Sequence, residues 1–228
     1  MVTASFTARL WGEIAHTYDA ILEHPFIHGL TSGTLPDASF RYFVLQDAVY
    51  LQSYAKALSS LGGRAPTAAD TAFFANRAAR VVAIERALHE TLLREMGVAE
   101  SAVAFTEPSP TTLAYTSYIL SNVYGGSFMD GLSAVLPCYW IYWEVGQALS
   151  ERGSPNPRYQ RWIDTYGGDE FAEAVQNVLA LADRVGEDLG PAELARARTH
   201  FVRASRYEWM FWDAAWRQES WPAGSQGV

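Results

Sequence analysis

Apolar side chains recur in this chain at three- and four-residue steps almost from end to end. Nowhere do they alternate with period two between turn signals. A helix completes a turn in about 3.6 residues, so this spacing lines one helical face and cannot line one face of a strand. The chain is therefore predicted to be all-α. The clearest stripe is Phe40, Phe43, Val44, Tyr50, Leu51, Tyr54, Leu58 and Leu61, opened by Pro36 and Asp37 and closed by Gly62 and Gly63. Proline and an acid suit a first helical turn, and glycine suits an end.

A long helix is predicted over 67–97, and a shorter one in "SPTTLAYTSYILSNVYGG". The next covers "SFMDGLSAVLPCYWIYWEVGQALSERG", where Pro137 should introduce a kink. A short helix in "NPRYQRWIDTYGG", a long one in "DEFAEAVQNVLALADRVGEDLG" and a closing one in "PAELARARTHFVRASRYEWMFWDAAWRQE" follow. Short connections favour antiparallel neighbours, so the expectation is a single-domain antiparallel bundle over residues 5–222, with tails at 1–4 and 223–228.

Charge and cysteine usage remove several function classes. The formal net charge is -8 and Lys56 is the only lysine, with arginines scattered rather than clustered. Nucleic acid and acidic membrane surfaces need clustered cations, so neither is expected as a partner. No apolar run approaches the roughly 20 residues of a membrane helix. The N-terminal residues lack the basic-then-apolar pattern of a signal peptide. One cysteine cannot form an intramolecular disulfide. The expectation is a soluble cytoplasmic protein. Trp162 and Trp221 read as exposed aromatics that would mark an interface.

Three residues sit where composition alone would not put them. Asp47 falls inside the apolar stripe of its helix, with Tyr50 one turn on. Glu208 falls amid Phe201, Ala204, Ser205, Phe211, Trp212, Ala215 and Trp216. A carboxylate in an apolar stripe is costly unless it is paired or hydrogen-bonded. An arginine or tyrosine could satisfy each acid structurally; alternatively, both point into a cavity that holds a polar ligand. Cys138 stands after Pro137 among aromatic rings, with Tyr142 one turn further along. A lone cysteine is usually a small buried hydrophobe, yet a thiol is also a strong nucleophile once a proton acceptor adjoins it.

No glycine-rich phosphate loop, dinucleotide fingerprint or serine-nucleophile elbow is present. The proline in "HPFIH" reads as a helix start rather than as part of a ligand pair. Glu85 and His89 lie one helical turn apart, as a polar brace or as part of a metal site. The spacing differs from the Glu-x-x-His of carboxylate-bridged bundles, and only one pair occurs.

With Asp47, Cys138 and Glu208 in their segments, the sequence resembles the thiaminase II family, also called TenA, of the haem-oxygenase-like all-helical fold. The resemblance runs through "HPFIHGLTSGTLPDASFRYFVLQDAVYL", "LPCYWIYWEVG" and "SRYEWMFWDAAW", in that order, and "LPC" is similar to the cysteine-containing group of the family. It implies hydrolysis of 4-amino-5-aminomethyl-2-methylpyrimidine, and of thiamin, to 4-amino-5-hydroxymethyl-2-methylpyrimidine, in thiamin salvage. It also implies a homotetramer with a small-molecule substrate and with neither metal nor organic cofactor. Carried over residue by residue, Cys138 is the nucleophile, Glu208 the catalytic acid, and Asp47 the carboxylate on the aminopyrimidine edge. Tyr50, Tyr115, Tyr142 and Tyr166 surround the ring. Two other readings remain: a metal-dependent oxidase or oxygenase on the same fold, and a pyrimidine-binding regulator without turnover.

Overall fold

The computed structural model describes residues 4–98 and 100–222, with backbone alone at 84–90 and 100–101. Its elements are α1 (Phe6–Leu22), α2 (Pro25–Ser32), α3 (Asp37–Gly62), α4 (Ala68–Arg80), α5 (Arg86–Glu95), α6 (Pro110–Gly125), α7 (Phe128–Ser150), α8 (Pro157–Gly167), α9 (Asp169–Gly186) and α10 (Pro191–Arg217). A π-helical turn, Val81–Glu85, joins α4 to α5, and a 3-10 turn, Glu100–Phe105, precedes α6. There is no strand among the described residues, and no helix among them is long and apolar enough to cross a membrane.

Local chemistry starts these helices where the sequence says it should. His24 caps α2 through the Phe26 amide, with Pro25 in the first turn. Thr67, Ser109 and Asn156 cap α4, α6 and α8 with their side-chain oxygens. Ser127 and Asp130 form a reciprocal capping box at α7. α1 is an addition to the sequence reading; its buried Phe6, Leu10, Ile14 and Ile21 lie at four- and seven-residue steps. The long helix expected over 67–97 is divided by the π turn at 81–85, one of whose residues, Val81, faces the cavity described below. Such a turn inserts an extra residue and re-aims the helix beyond it, often beside functional sites.

α7 is the central element. Nearly every residue from Met129 to Tyr142 is buried, and the helix packs against α10, α8, α6, α9 and α3. A helix apolar all round can be stable in water only inside such a sleeve. It continues through Pro137 without interruption, although proline supplies no N–H to the carbonyl one turn back. The Tyr54 hydroxyl of α3 donates to the Val135 carbonyl at 2.9 Å.

Two expectations about aromatics change. Trp162 is only 2 % exposed; it stands edge-on to Phe43 and Trp212 and belongs to the core, so it marks no interface. α8 is amphipathic, and Trp162 falls on its inner side with Tyr159, Ile163 and Tyr166. Trp216, read as part of the apolar face of α10, is exposed near that helix's end, whereas Trp221 is exposed as expected.

Candidate active site

The face of α3 that carries Asp47, Leu51 and Tyr54 meets the middle of α7 across a small cavity. Cys138, Tyr139 and Tyr142 enter it from α7 and Tyr166 from α8. Residues 47, 51 and 54 follow steps of four and three, so one helical face presents all three. Of the seven residues singled out in the sequence, Asp47, Cys138, Tyr142 and Tyr166 line this cavity.

Tyr50, Tyr115 and Glu208 form a buried group beside it, held by aromatic packing. Tyr50 lies 5.1 Å from Tyr115 and 5.5 Å from Tyr54, centroid to centroid. The Tyr115 hydroxyl donates to Glu208 Oε1 at 2.5 Å. Tyr50 Oη is buried near that hydroxyl, without a hydrogen bond of ordinary geometry to it. On the other side of the cavity Tyr142 stacks on Trp212 at 5.1 Å and meets Tyr166 at 5.0 Å.

Tyr166 owes its position to a close helix approach. Gly146 of α7 faces the end of α8 so tightly that a Cβ there would lie 2.5 Å from the Tyr166 carbonyl carbon. No side chain fits at that crossing. The glycine therefore lets α8 come near enough for Tyr166 to reach the cavity.

Both acids are buried, Asp47 at 3 % exposure and Glu208 at 1 %. Burial raises the Glu208 carboxyl from 4.5 to about 8; the Tyr115 hydrogen bond opposes this rise, and the negative charge of Asp47 adds to it. Glu208 is thus a neutral acid at pH 7 and can both give and accept a proton. The phenols of Tyr50, Tyr54, Tyr115 and Tyr142 are raised well above their usual value, chiefly by burial. After burial, a negative charge on Cys138 adds to each of these shifts.

Sequence reasoning missed Tyr54, Tyr139 and Arg77 as cavity residues. Tyr54 was legible as stripe and Tyr139 as a neighbour of the cysteine, but neither position carries an anomaly. Arg77 sits on a helix with a solvated face, and only tertiary packing brings it to the cavity rim. Glu85 and His89 have side chains outside the described residues. Among the described residues, no group of three His, Cys, Asp or Glu side chains is placed to hold a metal ion.

An all-helical bundle whose central helix offers a thiol to a tyrosine-walled cavity, with two buried carboxylates alongside, defines a narrow class of protein. Residues 11–218 match the TENA/THI-4/PQQC family, and this chain belongs to it. The chain is 37% identical to the aminopyrimidine aminohydrolase of Bacillus subtilis (strain 168) over 207 residues, 91% of this chain and 88% of that protein. The solved structure of a TenA homologue from P. horikoshii superposes with a TM-score of 0.87 at 30% identity, covering 94% of this chain and 99% of that one. A Shewanella denitrificans domain described as having a heme oxygenase-like fold superposes with a TM-score of 0.74 at 16% identity, over 96% of this chain and 94% of that one. The bundle therefore has the haem-oxygenase-like fold expected from the sequence.

Proposed function

We propose that this chain hydrolyses 4-amino-5-aminomethyl-2-methylpyrimidine, and thiamin, to 4-amino-5-hydroxymethyl-2-methylpyrimidine, and that it serves thiamin salvage. The observation that carries this reading is that Cys138, Asp47 and four tyrosines, Tyr54, Tyr139, Tyr142 and Tyr166, line one cavity. The kinship with an aminopyrimidine aminohydrolase supports it.

In this reading Asp47 accepts hydrogen bonds from the aminopyrimidine edge and fixes the ring. Tyr142 and Tyr166 supply the walls on which the ring packs, and Tyr50 and Tyr115 position Glu208. A group on the exocyclic methylene leaves poorly while the pyrimidine is aromatic. Cys138 sulfur adds to a ring carbon, forming a C–S bond and breaking aromaticity. Glu208 delivers its proton to a ring nitrogen and takes up the thiol proton, so no net charge develops. The enamine electrons then expel the leaving group, as ammonia once the amine is protonated, or as the neutral thiazole of thiamin, whose cationic ring nitrogen takes the bond's electron pair without a proton. Water oxygen bonds to the methylene carbon and gives up one proton, which replaces the one spent on departing ammonia or, with thiazole, is released, and reversal of the addition frees the thiol. One hard displacement becomes several easier steps, the usual advantage of covalent catalysis. An acid near pKa 8 is well matched to proton transfer at neutral pH.

The remaining expectations belong to the same proposal: one folded unit over 5–222, a homotetramer, and action in the cytoplasm. Leu113 and Tyr124, exposed three helical turns apart on α6, support an apolar contact between copies. Ammonia release from the aminomethylpyrimidine by purified protein, with the hydroxymethyl product identified by mass, tests the activity. Absence of turnover, or binding without product, would leave the regulator reading in its place. Stoichiometric iron in active protein would favour the oxidase reading.

A further inference from the structure

The proposed reaction leaves one charged group of the cavity without a task, Arg77 of α4. Its Nε is buried with no hydrogen-bond partner among the described residues, and its guanidinium carbon lies 5.6 Å from the centre of the Tyr139 ring. An unbonded buried N–H is costly, and an acceptor on a ligand would recover that cost. Arg77 lines both the inner cavity and an outer recess. Val81, Tyr166 and Phe171 also line both, so the two spaces adjoin across these four side chains.

The recess is suited to a particular kind of guest. Phe171 stands edge-on to Tyr166 at 5.3 Å, and with Val81 these rings give it flat apolar walls. Arg80 and Glu170 face each other across it as an ion pair, so their charges cancel and the excess charge of the recess is that of Arg77. With the pyrimidine held by Asp47 and attacked by Cys138, a leaving group directed past Arg77 would meet this recess. Ammonia would leave it unfilled. A heteroaromatic ring would find flat walls to pack on there, and a cationic tail would meet repulsion from the guanidinium.

We infer that Arg77 is a specificity-determining residue that selects leaving groups ending in a phosphate monoester. A planar guanidinium matches phosphate oxygens with paired N–H donors. The preferred substrate is then a pyrimidine joined through its methylene to a phosphorylated heteroaromatic ring. The bond that breaks is the same methylene C–N bond. Its electron pair returns to the ring nitrogen of the leaving group, water oxygen takes its place on the methylene, one proton is released, and the phosphate ester stays intact. This inference rests on the hydrolase reading above.

The test compares kcat/KM for thiamin monophosphate and thiamin within each of three proteins: wild type, Arg77→Gln and Arg77→Lys. Because the readout is a ratio within one protein, a general loss of folding or activity cancels. A charge-assisted contact predicts a wild-type preference for the phosphate of about tenfold or more, collapse to about unity in Arg77→Gln, and partial recovery in Arg77→Lys. A wild-type ratio near unity, or a preference that survives Arg77→Gln, overturns the inference. Wild-type hydrolysis of the aminomethylpyrimidine is assayed alongside. Turnover there with no phosphate preference overturns this inference alone, and no turnover on any of the three substrates overturns the hydrolase reading with it.

Discussion

Glu208→Gln is expected to stabilise the fold while nearly abolishing turnover. The carboxyl titrates near 4.5 when exposed and at about 8 when folded, because burial disfavours its charged form. At pH 7 the unfolded chain gains by ionising Glu208 and the folded chain does not. The folded state therefore binds more protons, and stability falls as pH rises between these two values. This group's contribution is complete below pH 4.5 and is lost as pH climbs toward 8. Each pH unit in that window costs about 1.4 kcal/mol, so at pH 7 the wild type stands about 3 kcal/mol below a protein with a non-ionising group there.

Glutamine keeps an oxygen for the Tyr115 hydroxyl and cannot ionise. Urea unfolding at pH 7.0, 7.5 and 8.0 isolates the effect. Burial lowers the pKa of His24 and His200, so their contribution to stability is essentially complete above 6.5; Asp70 and Asp130, lowered from 3.8, contribute fully at these pH values. The wild type should lose stability across this series, whereas the variant should not and should be the more stable at pH 7. A variant no more stable than wild type, or one with the same slope, would refute the assignment of Glu208 as a buried neutral acid.

Two further changes probe how the site is held. Tyr115→Phe removes the hydrogen bond that holds the Glu208 pKa down, so the alkaline limb of kcat/KM should move up by about one pH unit; movement to lower pH would contradict this geometry. Gly146→Ala forces α8 away from α7 at the Tyr166 carbonyl, which should cost about 1–3 kcal/mol in urea unfolding and lower kcat together. Unchanged values of both would mean that Tyr166 is positioned by something else.

The helices were legible because each apolar stripe keeps its period and most begin at a recognisable cap. Their interruptions were less so. No proline or glycine announces the π turn at 81–85, whose Val81 lines the cavity. Trp162 looked exposed because its neighbours in sequence are polar, yet the inner side of α8 buries it. At the site, Asp47 and Glu208 were visible as acids in apolar stripes, where any carboxylate is an anomaly. Cys138 gave no comparable signal without the family resemblance. Arg77 gave none, since an arginine on a partly solvated helix is ordinary until tertiary structure brings it beside Tyr139 and the cavity.

The central claim is that Cys138 is the nucleophile. Steady-state hydrolysis of 4-amino-5-aminomethyl-2-methylpyrimidine by wild type and Cys138→Ser tests it most directly, with urea unfolding confirming that both are folded. A serine hydroxyl at this position lacks an ionised form at neutral pH, so kcat/KM should fall by about a thousandfold or more. Equal rates for the two proteins would contradict the account.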